Sequence, residues 1–130
     1  MHGIAAYNTA SALIQLERSD EAPPHIRSAL ETFVRIDYLE LVGWCLAATS
    51  AFAAMIDPPN AARLLGAAEA AVESAGAALG PAEQRLRHWT LSVLDDRLSP
   101  AELEEALRSG RALDADDAVS LARQYLDSTP

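Results

Sequence analysis

The sequence predicts an all-α fold of about seven helices, packed as antiparallel neighbours. Three observations carry this. Proline and glycine cut the 130 residues at Pro23-Pro24, Pro58-Pro59, Gly80-Pro81, Ser99-Pro100 and Gly110 into segments of helical length. Within those segments apolar residues recur three and four apart, the period of a helix face. No stretch alternates convincingly between apolar and polar residues, and no Asn-Gly or Asp-Gly pair marks a hairpin.

The first helix is predicted over about 4–17, with Ala6, Ala10, Leu13 and Leu16 on one stripe. The second begins near Pro23 and sets Ile26, Ala29, Leu30, Phe33 and Val34 inward. The third, about 38–56, carries Leu41, Cys45, Ala48, Phe52 and Ile56 on one face and Trp44, Ala47, Ala51 and Met55 on a second. It has no charge between Leu41 and Ile56, so it should be central. Asp57-Pro58-Pro59 opens the fourth, a capping carboxylate before a proline that needs no N–H. Ala61, Leu64, Leu65, Ala68 and Val72 line it to about Gly76. Gly80-Pro81 opens the fifth, with Glu83 against the helix dipole and Leu86, Trp89, Leu91, Val93 and Leu94 as its apolar residues. Leu98-Ser99-Pro100-Ala101-Glu102-Leu103 specifies the sixth start as a capping box with a hydrophobic staple. Gly110 is expected to end that helix as a left-handed cap. The seventh starts at Leu113-Asp114 and lines up Val119, Ala122 and Leu126, with Leu121 and Tyr125 beside them; Asp127 to Pro130 are expected to fray.

Composition bounds the chemistry. Aromatics make up only 5% of the chain, so the core must be built from Leu, Val, Ile and Ala. The net charge is −9 and every base is Arg, a balance that repels nucleic-acid phosphates and anionic membranes. Abundant Ala and Arg without Lys point to a high-GC bacterial coding bias. One cysteine excludes an internal disulfide and a Cys-based zinc site. No apolar run reaches a membrane span, and the N-terminus reads as neither signal nor transit peptide, so a cytoplasmic location is expected.

A repeat is legible in the first half. The small-large-small set Ala22, Ile26, Ala29, preceded by Leu13, recurs as Ala61, Leu65, Ala68, preceded by Phe52, at a constant offset of 39 residues. That is the pattern of a tetratricopeptide repeat, whose usual period is about 34. Residues 1–130 are therefore expected to form one helical-repeat domain. About 4–78 would be repeat-like helix pairs in a tetratricopeptide-like right-handed stack, and about 81–127 C-terminal capping helices. The run ARLLGAAEA (62–70) fits: Gly66 costs about 1 kcal/mol in a helix, and close approach of neighbouring helices offsets it.

The stretch from ARLLGAAEA, through the Gly-Pro-Ala-Glu start, to SGRALDADDAVSLA (109–122) resembles the C-terminal helical region of large bacterial regulators. These join a STAND-type signalling ATPase to tetratricopeptide-like helices and to LuxR-type or BTAD-type DNA-binding, or cyclase, domains. The likeness covers about 61–122 and departs at Asp114 to Asp117, where Ser-Leu-Glu-Glu is commoner. It implies a structural role and transfers no catalytic residue. It also implies that the ATPase and DNA-binding parts lie outside these residues, the chain being a stand-alone remnant or a C-terminal piece; without Lys it holds no phosphate-binding Gly-Lys loop.

No catalytic, cofactor or metal site is expected. Cys45 reads as a buried structural thiol, and His2, His25 and His88 lack metal spacing. Asp95-Asp96 and Asp116-Asp117 are sequence neighbours that point apart on a helix. Trp44 and Trp89 read first as core residues, and Arg85 and Arg87, with His88, as a basic cluster paired with the chain's own acids. As candidate contacts the tryptophans would wall a pocket, the basic cluster would hold an acidic ligand or a neighbouring domain's carboxylates, and Ile4 and Tyr7, with Leu13, would form an apolar side of the first helix open to self-association. The expected function is a non-enzymatic interaction module binding protein, either the same regulator's upstream domains or a second copy. The alternative is a helical sensor holding an apolar metabolite near Trp44 and Trp89.

Overall fold

The computed structural model describes residues 2–127, with side chains from residue 3 onward. Seven α-helices follow one another: α1 (His2–Gln15), α2 (Pro23–Arg35), α3 (Leu39–Ala53), α4 (Pro58–Ser74), α5 (Pro81–Arg97), α6 (Pro100–Arg111) and α7 (Ala115–Leu126). A single 3-10 turn, Ser19–Glu21, joins α1 to α2, and no strand occurs among the described residues. The expected all-α architecture of about seven helices is the one observed. The side chain of His2 and residues 128–130 lie outside the described residues.

Local chemistry sets the boundaries. Four helices begin on proline, where a missing N–H costs nothing and φ is already helical. The Asp57 carboxylate accepts from Asn60 N–H at 3.3 Å and starts α4. Ser99 and Glu102 exchange both bonds of a capping box, at 3.1 and 2.9 Å. Asp114 accepts from Asp117 N–H at 2.8 Å and starts α7. At its other end α4 closes through Gly76 at φ 74°, with Gly76 N–H donating to Glu73 O and Ala77 N–H to Val72 O, a Schellman cap. Helices α1 and α2 close the same way through Glu17 (φ 60°) and Asp37 (φ 57°). Two carboxylate residues thus occupy the left-handed position glycine prefers.

Pairing follows from close contacts. Gly3 lies against Thr32 and Phe33, which sets α1 antiparallel to α2. Gly43 faces Val72 while Ser50 Oγ donates to Ala61 O at 2.6 Å, which sets α3 antiparallel to α4. Helix α3 is central, with eleven of its fifteen residues buried. Helix α6 crosses α4 at a pair of glycines. A Cβ on Gly66 would overlap the Leu107 carbonyl oxygen, and one on Gly110 would overlap that of Arg63. Gly66 is therefore a contact point, as the sequence suggested. Gly110 is not the left-handed terminus expected of it: it sits inside α6, and its missing side chain serves the crossing instead. Helix α7 runs back between α2 and α4, antiparallel to both. Arg123 pairs with Glu31, Arg27 donates to Leu126 O, and Tyr125 donates to Asp57 at 2.6 Å.

The core spans Tyr7, Ile14, Ile26, Phe33, Leu46, Leu64, Leu86 and Leu126, and a second cluster joins Ala54, Ala61, Leu94 and Leu103. Several residues expected inside are not. Leu16, Met55 and Ile56 are exposed because α1 ends at Gln15 and α3 at Ala53, so each falls beyond the last helical turn. Val34 is exposed beside the α2 stripe, and on α1 the buried residues are Gly3, Tyr7, Ala10, Ser11 and Ile14.

Candidate functional site

Helix α5 buries one narrow stripe: Glu83, Leu86, Thr90 and Leu94. Its flanks remain open, and there the sequence candidates separate. Trp89 is 38% exposed, and Arg85, one turn earlier, is exposed beside it. Together with Ile14, Gln15, Leu16 and Glu17 at the end of α1, they line a cleft of about 390 Å³. On the other side of the same two residues, a shallower cleft of about 490 Å³ is lined by Pro81, Gln84, His88 and Ser92. The α1 contribution had no sequence signal: Leu16 was read as an inward residue, yet it is 65% exposed and forms a wall of the cleft.

Arg85 and Arg87 differ in kind. Arg87 pairs with Glu69 on α4, and Arg111 of α6 joins Glu69 and Glu73 in the same network. Arg87 therefore ties α5 to α4, and Arg111 ties α6 to the same acids. Arg85 has neither an ion pair nor a hydrogen-bond acceptor among the described residues.

Trp44 and Trp89 stand apart in the structure. Trp44 is half-buried on α3 with its ring 5.5 Å from that of Tyr7, and it lines neither cleft that Trp89 lines. Its indole N–H is buried without an acceptor among the described residues. Tyr7 is likewise no free surface residue. It is 2% exposed, and its hydroxyl donates to buried Glu83 at 2.9 Å, joining α1 to the first turn of α5. A buried phenol needs an acceptor, and this one lies 76 residues away. Of the proposed self-association face, Ile4 stays exposed at 42%, while Leu13 packs on the core.

The titratable groups point to structure. Burial, then the nearby Glu83 charge, pushes the Tyr7 hydroxyl well above its ordinary range. Burial does the same to the Cys45 thiol, which keeps it protonated and unreactive. Asp57, Asn60, Arg63 and Tyr125 form a hydrogen-bonded knot between the start of α4 and the end of α7. Among the described residues no group of three or more His, Cys, Asp or Glu side chains is placed to hold a metal ion. Among the described residues no helix is long and apolar enough to cross a membrane. Compared with known protein families, with curated proteins and with solved structures, the chain has no significant match.

Proposed function

We propose that this chain is a non-enzymatic protein-interaction module, a tetratricopeptide-like helical frame of the kind found at the C-terminus of bacterial STAND-type regulators. In that role it serves signalling or transcription control in the cytoplasm, bound to a protein partner and not to nucleic acid. The supporting observation is the surface of α5. An exposed tryptophan and an arginine without a partner stand one turn apart over a cleft, and Trp and Arg are the residues enriched where interfaces concentrate their binding energy.

The alternative, a sensor for an apolar metabolite, draws less support. It needs an enclosed apolar site, and Trp44 lines neither cleft that Trp89 lines. Tryptophan fluorescence separates the two. The interaction reading expects a saturable response to peptides on an unbiased array, removed by Trp89→Ala. A response confined to apolar metabolites and removed by Trp44→Ala would overturn it.

A further inference from the structure

We infer that the groove between α5 and the end of α1 receives an acidic amphipathic helix of a partner protein, its apolar face on Trp89 and Leu16 and a carboxylate on Arg85. This rests on the interaction-module reading and adds the partner's chemistry. The groove has the two ingredients of helix-in-groove recognition, an apolar wall and a polar rim. The wall is built from two elements: Trp89 on α5, and Ile14 and Leu16 at the end of α1. The rim is set by Arg85.

Charge decides the partner. In a chain with 19 acids and 10 arginines, an arginine with no acceptor is the exception. The other arginines donate to carboxylates, hydroxyls, amides or carbonyls of their own chain, and Arg85 alone among the described residues does not. The guanidinium presents a fixed fork of donors matched to a carboxylate. One acid, Glu17, lines the cleft, and it forms no ion pair with Arg85. Glu17 repels an acidic partner at close range, so the partner's carboxylate belongs on the Arg85 side of the cleft; acids more than about 8 Å away are largely screened at physiological salt. A basic helix would leave Arg85 facing like charge.

The test uses three fluorescein-labelled helical peptides of about 16 residues, each with Leu at i, i+4 and i+7. They differ only in carrying Glu, Gln or Lys beside that stripe. The glutamate peptide should bind the full chain about tenfold tighter than the glutamine peptide, and the lysine peptide weakest. Arg85→Gln should cost the glutamate peptide about tenfold and leave the glutamine peptide within about twofold. Trp89→Ala should weaken both by about tenfold. Both residues are exposed, and unchanged thermal melts establish that the variants fold. Failure of the glutamate peptide to bind, or equal binding of the lysine peptide, overturns the proposal. So does a dimer of the chain that Arg85→Gln dissolves, which would seat a second copy in the groove. If the glutamate peptide fails while an unbiased array yields a hit that Trp89→Ala removes, the acidic helix is wrong and the interaction reading stands. If the array is silent as well, both fall.

Discussion

Replacing Gly66 by Ala sets two effects of opposite sign against each other. Helix propensity favours Ala by about 1 kcal/mol. Packing opposes it, because the new Cβ would overlap the Leu107 carbonyl oxygen and stand 3.0 Å from the Leu107 carbonyl carbon and 3.2 Å from Arg111 N. All three are backbone atoms of α6, so no side chain can rotate away. Relief requires α6 to withdraw by roughly 1 Å, which forfeits a quarter to a half of the dispersion energy of the contacts it opens. Overpacking costs about 1–3 kcal/mol, and a rigid backbone obstacle belongs at the upper end. Taking about 3 against the propensity gain of about 1 leaves a net loss of about 2 kcal/mol. For a chain of 130 residues that is a fall in Tm of about 7 °C. Gly110→Ala meets the Arg63 carbonyl in the same way and should cost about as much. The double variant should lose less than the sum, since one withdrawal of α6 makes room for both methyl groups. Calorimetry on the three variants reads this directly. A rise in Tm for Gly66→Ala, as propensity alone requires, would refute the close crossing.

Three further outcomes follow from the buried polar groups and the caps. Tyr7→Phe removes the hydroxyl that donates to buried Glu83 and should cost about 1–3 kcal/mol in urea unfolding; adding Glu83→Gln should recover part of the loss, and a loss unchanged by it would contradict a role for the pair. Tyr7 and Cys45 both have raised pKa values in the folded chain, so the native state keeps protons that the unfolded chain releases. Stability is then fully present below about pH 8.5 and falls as pH rises, by up to about 1.4 kcal/mol per unit for each group, the thiol first and the phenol from about pH 10. Cys45→Ala should flatten the decline between about pH 8.5 and 10, and a wild-type stability flat across that range would disprove the assignment. Ser99→Ala breaks the capping box and should lower stability by about 1 kcal/mol, whereas a change within error would mean α6 is held by its glycine crossing alone.

The sequence showed most where a few adjacent residues decide the outcome. The caps at Asp57 and Ser99 are local chemistry, and both readings hold. Gly110 shows the limit. Glycine ends helices by adopting positive φ and joins helices by lacking a Cβ, and the residue alone does not distinguish the two uses. Its seat against the Arg63 carbonyl of α4 is a tertiary fact. Helix length had the same effect at Leu16, Met55 and Ile56: the three-four spacing continues through them, but the chain has already turned. In the candidate site, Arg85 and Trp89 were each singled out, but in separate groups, Arg85 with Arg87 and Trp89 with Trp44. The α1 wall was not legible, because Glu17 and Leu16 face α5 only through a cap closed by a non-glycine residue. The bond from Tyr7 to Glu83, which brings α1 and α5 together, joins residues 76 apart.

The glycine contacts also locate where function can vary without cost to the fold. Helix α4 is gripped at backbone distance on two flanks, by Gly43 of α3 and by Gly110 of α6. Such contacts tolerate almost no change in side-chain volume. Helix α5 is held differently, by one stripe of four buried residues, the Tyr7 bond and the Arg87 ion pair. Its remaining surface can change identity while the α3–α4–α6 slab stays put. Stability and recognition should therefore separate by residue. Gly66→Ala should lower Tm and leave peptide affinity at the α5 groove unchanged, while Arg85→Gln should change affinity and leave Tm unchanged. A variant series in which the two readouts move together would mean that the groove is a property of the whole stack, and not of α5 and the end of α1.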